Sequence, residues 1–115
     1  MELSLFDKSV ACFDDYHPNI FRSLHHPEFM FIRELQFLDL DEQCEIINQQ
    51  VKDNPNFHPF RLRNVQLIHE NHNAMEIRWE ENEEIVTNLT LKKDSRYWRS
   101  MVSRIPKEDA SKLKL

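Results

Sequence analysis

The chain has 115 residues, 40% of them hydrophobic and 30% charged, with a formal net charge of −5. That size supports one core rather than two, and the composition is that of a folding globular chain rather than a disordered one. There is no glycine, which excludes P-loops, GxGxxG dinucleotide turns, GxSxG nucleophile elbows and kinase Gly-rich loops, since all of these need a backbone without a Cβ.

No apolar run approaches the roughly 18 to 20 residues of a membrane helix. The start, Met1 to Lys8, lacks the basic-then-apolar layout of a signal peptide. These features predict a cytoplasmic protein with no membrane contact. The two cysteines, Cys12 and Cys44, have no CxxC spacing, so reduced, buried thiols are expected rather than a disulfide scaffold or a cysteine zinc knuckle.

The first third is rich in aromatics and is broken at Pro18 and Pro27. Between these prolines a short helix is expected over residues 19–24, with Ile20, Phe21 and Leu24 on one side. Residues 28–38 fit either a strand or a helix; Phe29, Phe31, Leu35 and Phe37 favour the strand. Next, Asp39 offers a cap with Glu42 three residues on, and Leu40, Cys44, Ile47 and Val51 recur every three to four residues. A helix over 40–52 follows. Asn54-Pro55-Asn56 ends it.

From residue 60 to 91 the period becomes two, which predicts three antiparallel strands around Val65–Leu67, Met75–Trp79 and Ile85–Leu91. Asparagines at 71, 73 and 82 stand where glycine would serve the turns. Leu62 and Val65 are out of phase, which suggests a bulge near residues 63–64. Asp94 or Ser95 then reads as the cap of a final helix through Ile105, striped with Tyr97, Trp98, Met101, Val102 and Ile105. The expectation is an α+β domain over 1–106: a meander of three to four strands with helices on one face and a C-terminal helix, followed by a flexible charged tail at 107–115.

Six histidines invite a metal reading, above all His69 and His72 beside Glu70, but no HExxH helix or cysteine partner fixes a tetrahedral set. Exposed turn histidines are the plain alternative. Neighbouring carboxylates such as Asp14-Asp15 and Glu80-Glu81 point apart and suit turns rather than an acid/base couple. No metal, cofactor or catalytic residue is therefore assigned.

Charge is distributed unevenly. Residues 92–115 hold eight of the fifteen basic side chains against three acids, and such asymmetry marks an interaction surface. The candidate interaction residues are Arg61, Arg63 and Arg78 on an outward sheet face and Arg96, Arg99 and Arg104 on the last helix. Together with the absence of a converging site, they point to a non-catalytic protein-interaction module of adaptor, inhibitor or immunity type, acting on another protein. Surplus aromatic surface at Phe29, Phe31 and Phe37 suggests a homodimer. Two alternatives stand beside it. A nucleic-acid-binding regulator would use the basic helix with Lys92 and Lys93, although the acidic pI of about 5.6 opposes it. A small metal-dependent enzyme would use His69, Glu70 and His72.

Overall fold

In the computed structural model, which describes residues 3–110, the chain runs α1 (Leu5–Asp14), α2 (Pro18–Ser23), β1 (His25–Arg33), β2 (Gln36–Asp39), α3 (Leu40–Asp53), α4 (Phe57–Arg63), β3 (Gln66–Glu70), β4 (Ala74–Glu81), β5 (Glu84–Lys93), β6 (Arg96–Pro106) and α5 (Lys107–Ala110). The strands make one six-stranded sheet in the order β2-β1-β6-β5-β4-β3. Every pair is antiparallel except β1 with β6, which is parallel. The expected small antiparallel meander with a C-terminal helix is therefore corrected to a six-stranded mixed sheet, and residues 96–106 are a strand.

Two local features explain the misread helix. Asp94 and Ser95 have φ of 53° and 62°, the two-residue hairpin turn that joins strands with native twist, not a helix cap. Beyond it the register of β6 against β5 shifts between Leu91 and Lys92: Leu91 faces Arg99 and Lys92 faces Tyr97, so Trp98 is an extra residue. A bulge of this kind breaks the two-residue alternation and lets apolar residues fall at helix-like intervals. The turn between β4 and β5 is built the same way, with Asn82 and Glu83 at φ 51° and 63°.

The segment 28–38 resolves as the β1–β2 hairpin, with Glu34 at φ 55° in its turn. Helix α3 starts where its signals put it. Asp39 accepts from Glu42 N at 2.8 Å while the Glu42 carboxylate receives Asp39 N at 3.1 Å, a complete capping box. Helices α1 and α4 were not expected. Ser4 caps α1, and the Glu70 carboxylate accepts Phe6 N at 3.1 Å while pairing with Lys92 Nζ at 2.8 Å. Both charges are almost out of solvent, so this pair pins the start of α1 to the sheet. The expected tail is in part a helical turn at Lys107–Ala110, tied by Lys107 to Glu80 at 2.7 Å; residues 111–115 lie outside the described residues.

Register sorts the sheet into two faces. Across neighbouring strands the inner rows are Met75, Thr90, Ser100 and Phe31, then Ile77, Asn88, Val102 and Arg33, then Trp79, Val86 and Arg104. On β5 the regular apolar alternation of Ile85, Leu89 and Leu91 points outward instead, with Leu89 and Leu91 exposed. The core gathers Leu5, Phe21, Phe29, Cys44, Ile47, Met75 and Tyr97 among others between the inner face and the helices. Cys12 and Cys44 are both buried thiols. Among the described residues, no helix is long and apolar enough to cross a membrane.

A glycine-free chain holds its turns in the left-handed region with side chains that disfavour it, at a cost of roughly 1 to 2 kcal/mol per residue. Glu83→Gly and Ser95→Gly, which create Asn-Gly and Asp-Gly turns, should each raise stability by about 1 kcal/mol in urea denaturation. A lowered urea midpoint for both would contradict this account of the turns.

Candidate functional site

The inner rows of the sheet and helices α1 to α4 do not close on one another completely. A cavity of about 220 Å³ remains between them. Its apolar walls come from Phe29, Phe31, Ile47, Met75 and Ile77. Its floor on β5 and β6 is polar. Thr90 Oγ1 donates to Asn88 Oδ1 at 2.8 Å and Asn88 Nδ2 donates to Ser100 Oγ at 3.0 Å; the remaining hydroxyl contact, 2.9 Å, is therefore Ser100 donating to Thr90. The three side chains form a closed ring that satisfies both hydroxyl protons internally. It offers a ligand acceptor oxygens and the second amide hydrogen of Asn88.

Two histidines line the same cavity. His25 lies among the rings of Phe21, Phe29 and Tyr97, with centroids 4.5 to 5.3 Å away. Its Nδ1 is 2.7 Å from the Phe21 carbonyl, an acceptor only, so Nδ1 carries the hydrogen and Nε2 is the basic nitrogen. Burial pushes its pKa down to about 4, against the opposing pull of that carbonyl. His58 stacks on Phe13 at 4.5 Å and contacts Gln50 Oε1 through Nε2 at 2.9 Å, which leaves Nδ1 unprotonated. Burial, and secondarily the charge of Arg61, lower it to about 4 as well. Tyr97, buried beside His25, meets Ser9 Oγ at 2.7 Å and the Leu5 carbonyl at 3.2 Å. Burial raises its pKa, so it stays a neutral phenol.

Where the cavity nears solvent, Glu81 receives Arg61 at 3.0 Å, Arg104 at 3.3 Å and Trp79 Nε1 at 3.2 Å. Arg61 also lies over the rings of Phe57 and Trp79, 4.2 and 5.1 Å from their centroids. Burial lifts the Glu81 carboxyl, but its hydrogen bonds and the two guanidiniums outweigh this and hold it below the usual range. A second depression of about 560 Å³ adjoins here and shares Arg61 and Trp79 with the first.

No protein-family model and no curated protein matches the sequence. Solved structures do match. Wild-type IdmH, a candidate polyketide cyclase from Streptomyces antibioticus, superimposes with a TM-score of 0.61 at 11% identity, over 87% of this chain and 88% of that one. A candidate isomerase of the SnoaL-like family from Agrobacterium tumefaciens gives 0.54 at 8% identity, over 88% and 94%. An NTF2-like protein of unknown function from Cytophaga hutchinsonii gives 0.53 at 7% identity, over 96% and 97%. The chain has the NTF2-like fold. At these identities the likeness establishes architecture alone.

An NTF2-like sheet wrapped on a lined cavity overturns the expectation of a non-catalytic interaction module, which rested on the absence of any converging site. The cavity brings together residues distant in sequence, and its neighbours in fold include candidate enzymes. The basic helix of the nucleic-acid reading does not exist. Lys92 is buried against Glu70, and Arg104 joins the Glu81 cluster. For the metal reading, Glu70 is turned to Lys92, and His69 contacts Asn71 at 3.0 Å. Among the described residues no group of three or more histidine, cysteine or acidic side chains is placed to hold a metal ion.

The six arginines singled out from the sequence do not form one patch. Arg61 sits on α4 rather than on the sheet and meets Arg104 through Glu81. Arg63, also on α4, pairs with Asp14 at 3.2 Å. Arg78 is on the outer face of β4, with its Nε buried and unpartnered. Arg96 begins β6, and Arg99 covers the Trp98 ring at 4.2 Å. The cavity residues His25, His58, Asn88, Thr90 and Ser100 were not singled out. Polar residues inside the alternation of β5 and β6 are the signal that could have revealed them.

Both histidines fold neutral with pKa below the ordinary 6.5, so their contribution is complete above pH 6.5 and is lost as pH falls toward 4. Between pH 7 and 4.5 each should cost the native state about 2 to 3 kcal/mol. Urea midpoints measured across this window should fall steeply for the native chain and less so for His25→Gln and His58→Gln. An unchanged pH slope in both variants would contradict the assignment.

Proposed function

We propose that this protein binds a small ring-bearing molecule in the cavity between its sheet and its helices. The observation that carries the reading is a cavity with largely apolar walls that gathers polar groups from separate strands and helices, among them the Asn88-Thr90-Ser100 ring and two neutral imidazoles. Ligand sites in general combine an apolar lining with a few placed polar groups. A core designed only for stability would use aliphatic residues at these positions, since buried hydroxyls and amides gain little even when satisfied.

Size narrows the ligand. An apolar cavity of about 150 Å³ takes benzene, so the 220 Å³ here suits one or two fused rings. The neighbours described as a candidate polyketide cyclase and a candidate isomerase agree with a small-molecule site.

The tautomer of His25 favours a second, catalytic reading. Its Nδ1–H is held by the Phe21 carbonyl, which aims a basic Nε2 away from that bond in a residue lining the cavity. A fixed neutral imidazole can accept a proton from a carbon acid held beside it, such as the position next to a ring ketone.

Binding is checked by calorimetric titration with 2-naphthol and 2-tetralone. Ile77→Trp, which fills the cavity, should weaken both by at least about tenfold while far-UV circular dichroism is unchanged. Retained affinity in the filled variant would place the ligand elsewhere and defeat the reading. Catalysis is checked by deuterium exchange at the α-carbon of 2-tetralone, followed by NMR. The native chain should accelerate exchange, and His25→Gln should slow it by about 100-fold; equal rates in the two proteins would remove His25 as the base.

A further inference from the structure

The lining of the cavity has a one-sided charge. The chain carries 20 acidic side chains against 15 basic ones, yet among the described residues no Asp or Glu lines the cavity, whereas Arg33, Arg61 and Arg104 do. Arg61 and Arg104 both pair with Glu81, and Arg104 also approaches Glu84 at 3.9 Å. Arg33 differs. Among the described residues no carboxylate or carbonyl receives it, although it stands on the inner row beside Val102, one row from Phe31 and Ser100.

That placement is specific. β1 and β6 are in register here, so Arg33, Val102 and Asn88 lie on adjacent strands in one row, spaced by about 4.8 Å from strand to strand. Its side chain is exposed as well as cavity-lining, so the guanidinium keeps its hydration while empty and can meet an anion at the cavity rim. A guanidinium presents a planar fork of donors that matches a carboxylate in two parallel hydrogen bonds.

We infer that the ligand class is a ring-bearing carboxylic acid, with its carboxylate received by Arg33 and its ring packed against Phe31, Val102 and Ile77. The inference rests on the cavity being a small-molecule site and adds the charge of its ligand. It also gives the polar floor a role. The Asn88-Thr90-Ser100 ring has spent its hydroxyl protons internally, so its hydroxyl oxygens receive a donor on the ligand, a ring hydroxyl or amine, and only the second amide hydrogen of Asn88 is left to donate.

The test is calorimetric titration of the full chain with 2-naphthoate and its neutral isostere 2-naphthamide at pH 7. The native chain should bind the acid at least about tenfold tighter than the amide, from one charge-assisted contact, and the preference should shrink as salt is raised. Arg33→Gln should bring the two ligands within about twofold while leaving the amide's Kd unchanged, which also shows that the variant is folded; Arg33→Lys should keep part of the preference. Equal binding of acid and amide by the native chain, or an undiminished preference in Arg33→Gln, would overturn the inference and leave the cavity reading standing. Binding of neither compound would overturn both.

Discussion

The parallel pairing of β1 with β6 is the constraint on which the rest of the molecule depends. Residues 66–106 alone make an antiparallel meander with one face to cover and nothing yet to cover it. Joining β1 to the open edge at β6 brings the N-terminal third across that face. The junction begins where Tyr97 N donates to the Leu24 carbonyl at 2.9 Å, and His25 takes its place opposite Tyr97. From there α2 runs back beneath β1, α3 follows from β2, and α1 is pinned by Glu70 and Lys92 at the far side. A parallel pair needs a long connection, and here the connection is most of the chain. The cavity is what the helices leave when they span the inner face from opposite ends.

The interior reflects a compromise between folding and binding. Val86 is wholly buried and Met75 and Ile77 nearly so, which supplies ordinary apolar stabilisation. Thr90 and Ser100 are equally buried, and each gives up hydration for a hydrogen bond of modest net worth. Closing those bonds into a ring avoids the larger cost of an unsatisfied buried group. The two histidines follow the same logic: each anchors one nitrogen to a neutral acceptor and stays uncharged in a medium that penalises the imidazolium. The result is a cavity whose polarity is local and directional rather than charged, until its rim, where the arginines stand.

How much of this was legible depends on how local each signal was. Helix α3 was readable because Asp39, Glu42 and the apolar repeat lie within a few residues of one another. The three strands of the meander were readable from their period of two. Helix α1 was missed even though Ser4 caps it locally, and the contact that docks its start on the sheet comes from Glu70, a partner 64 residues away. β6 was read as a helix because one extra residue, Trp98, shifts the alternation, and because Asp94-Ser95 resembles a cap as much as a turn. On β5 the stronger alternation, Ile85-Thr87-Leu89-Leu91, is the outer one. Sequence pattern assigns the apolar side to the core, and in a sheet that holds a polar cavity floor this rule selects the wrong face. The site was hidden in part by the same inversion, which turns Asn88 and Thr90 toward solvent; Ser100 fell inside the expected last helix, and nothing local shows that β1 lies beside β6 and adds His25 and Arg33.

The central claim is that small molecules enter between the sheet and the helices rather than settle on the bare outer face. Methyl-resolved NMR during titration with 2-naphthol tests it most directly. The account predicts that the methyl signals of Ile47, Met75, Ile77 and Val102 shift while those of Leu89, Leu91 and Met101 on the outer face stay in place. Shifts confined to the outer-face methyls, or none on either face, would contradict it.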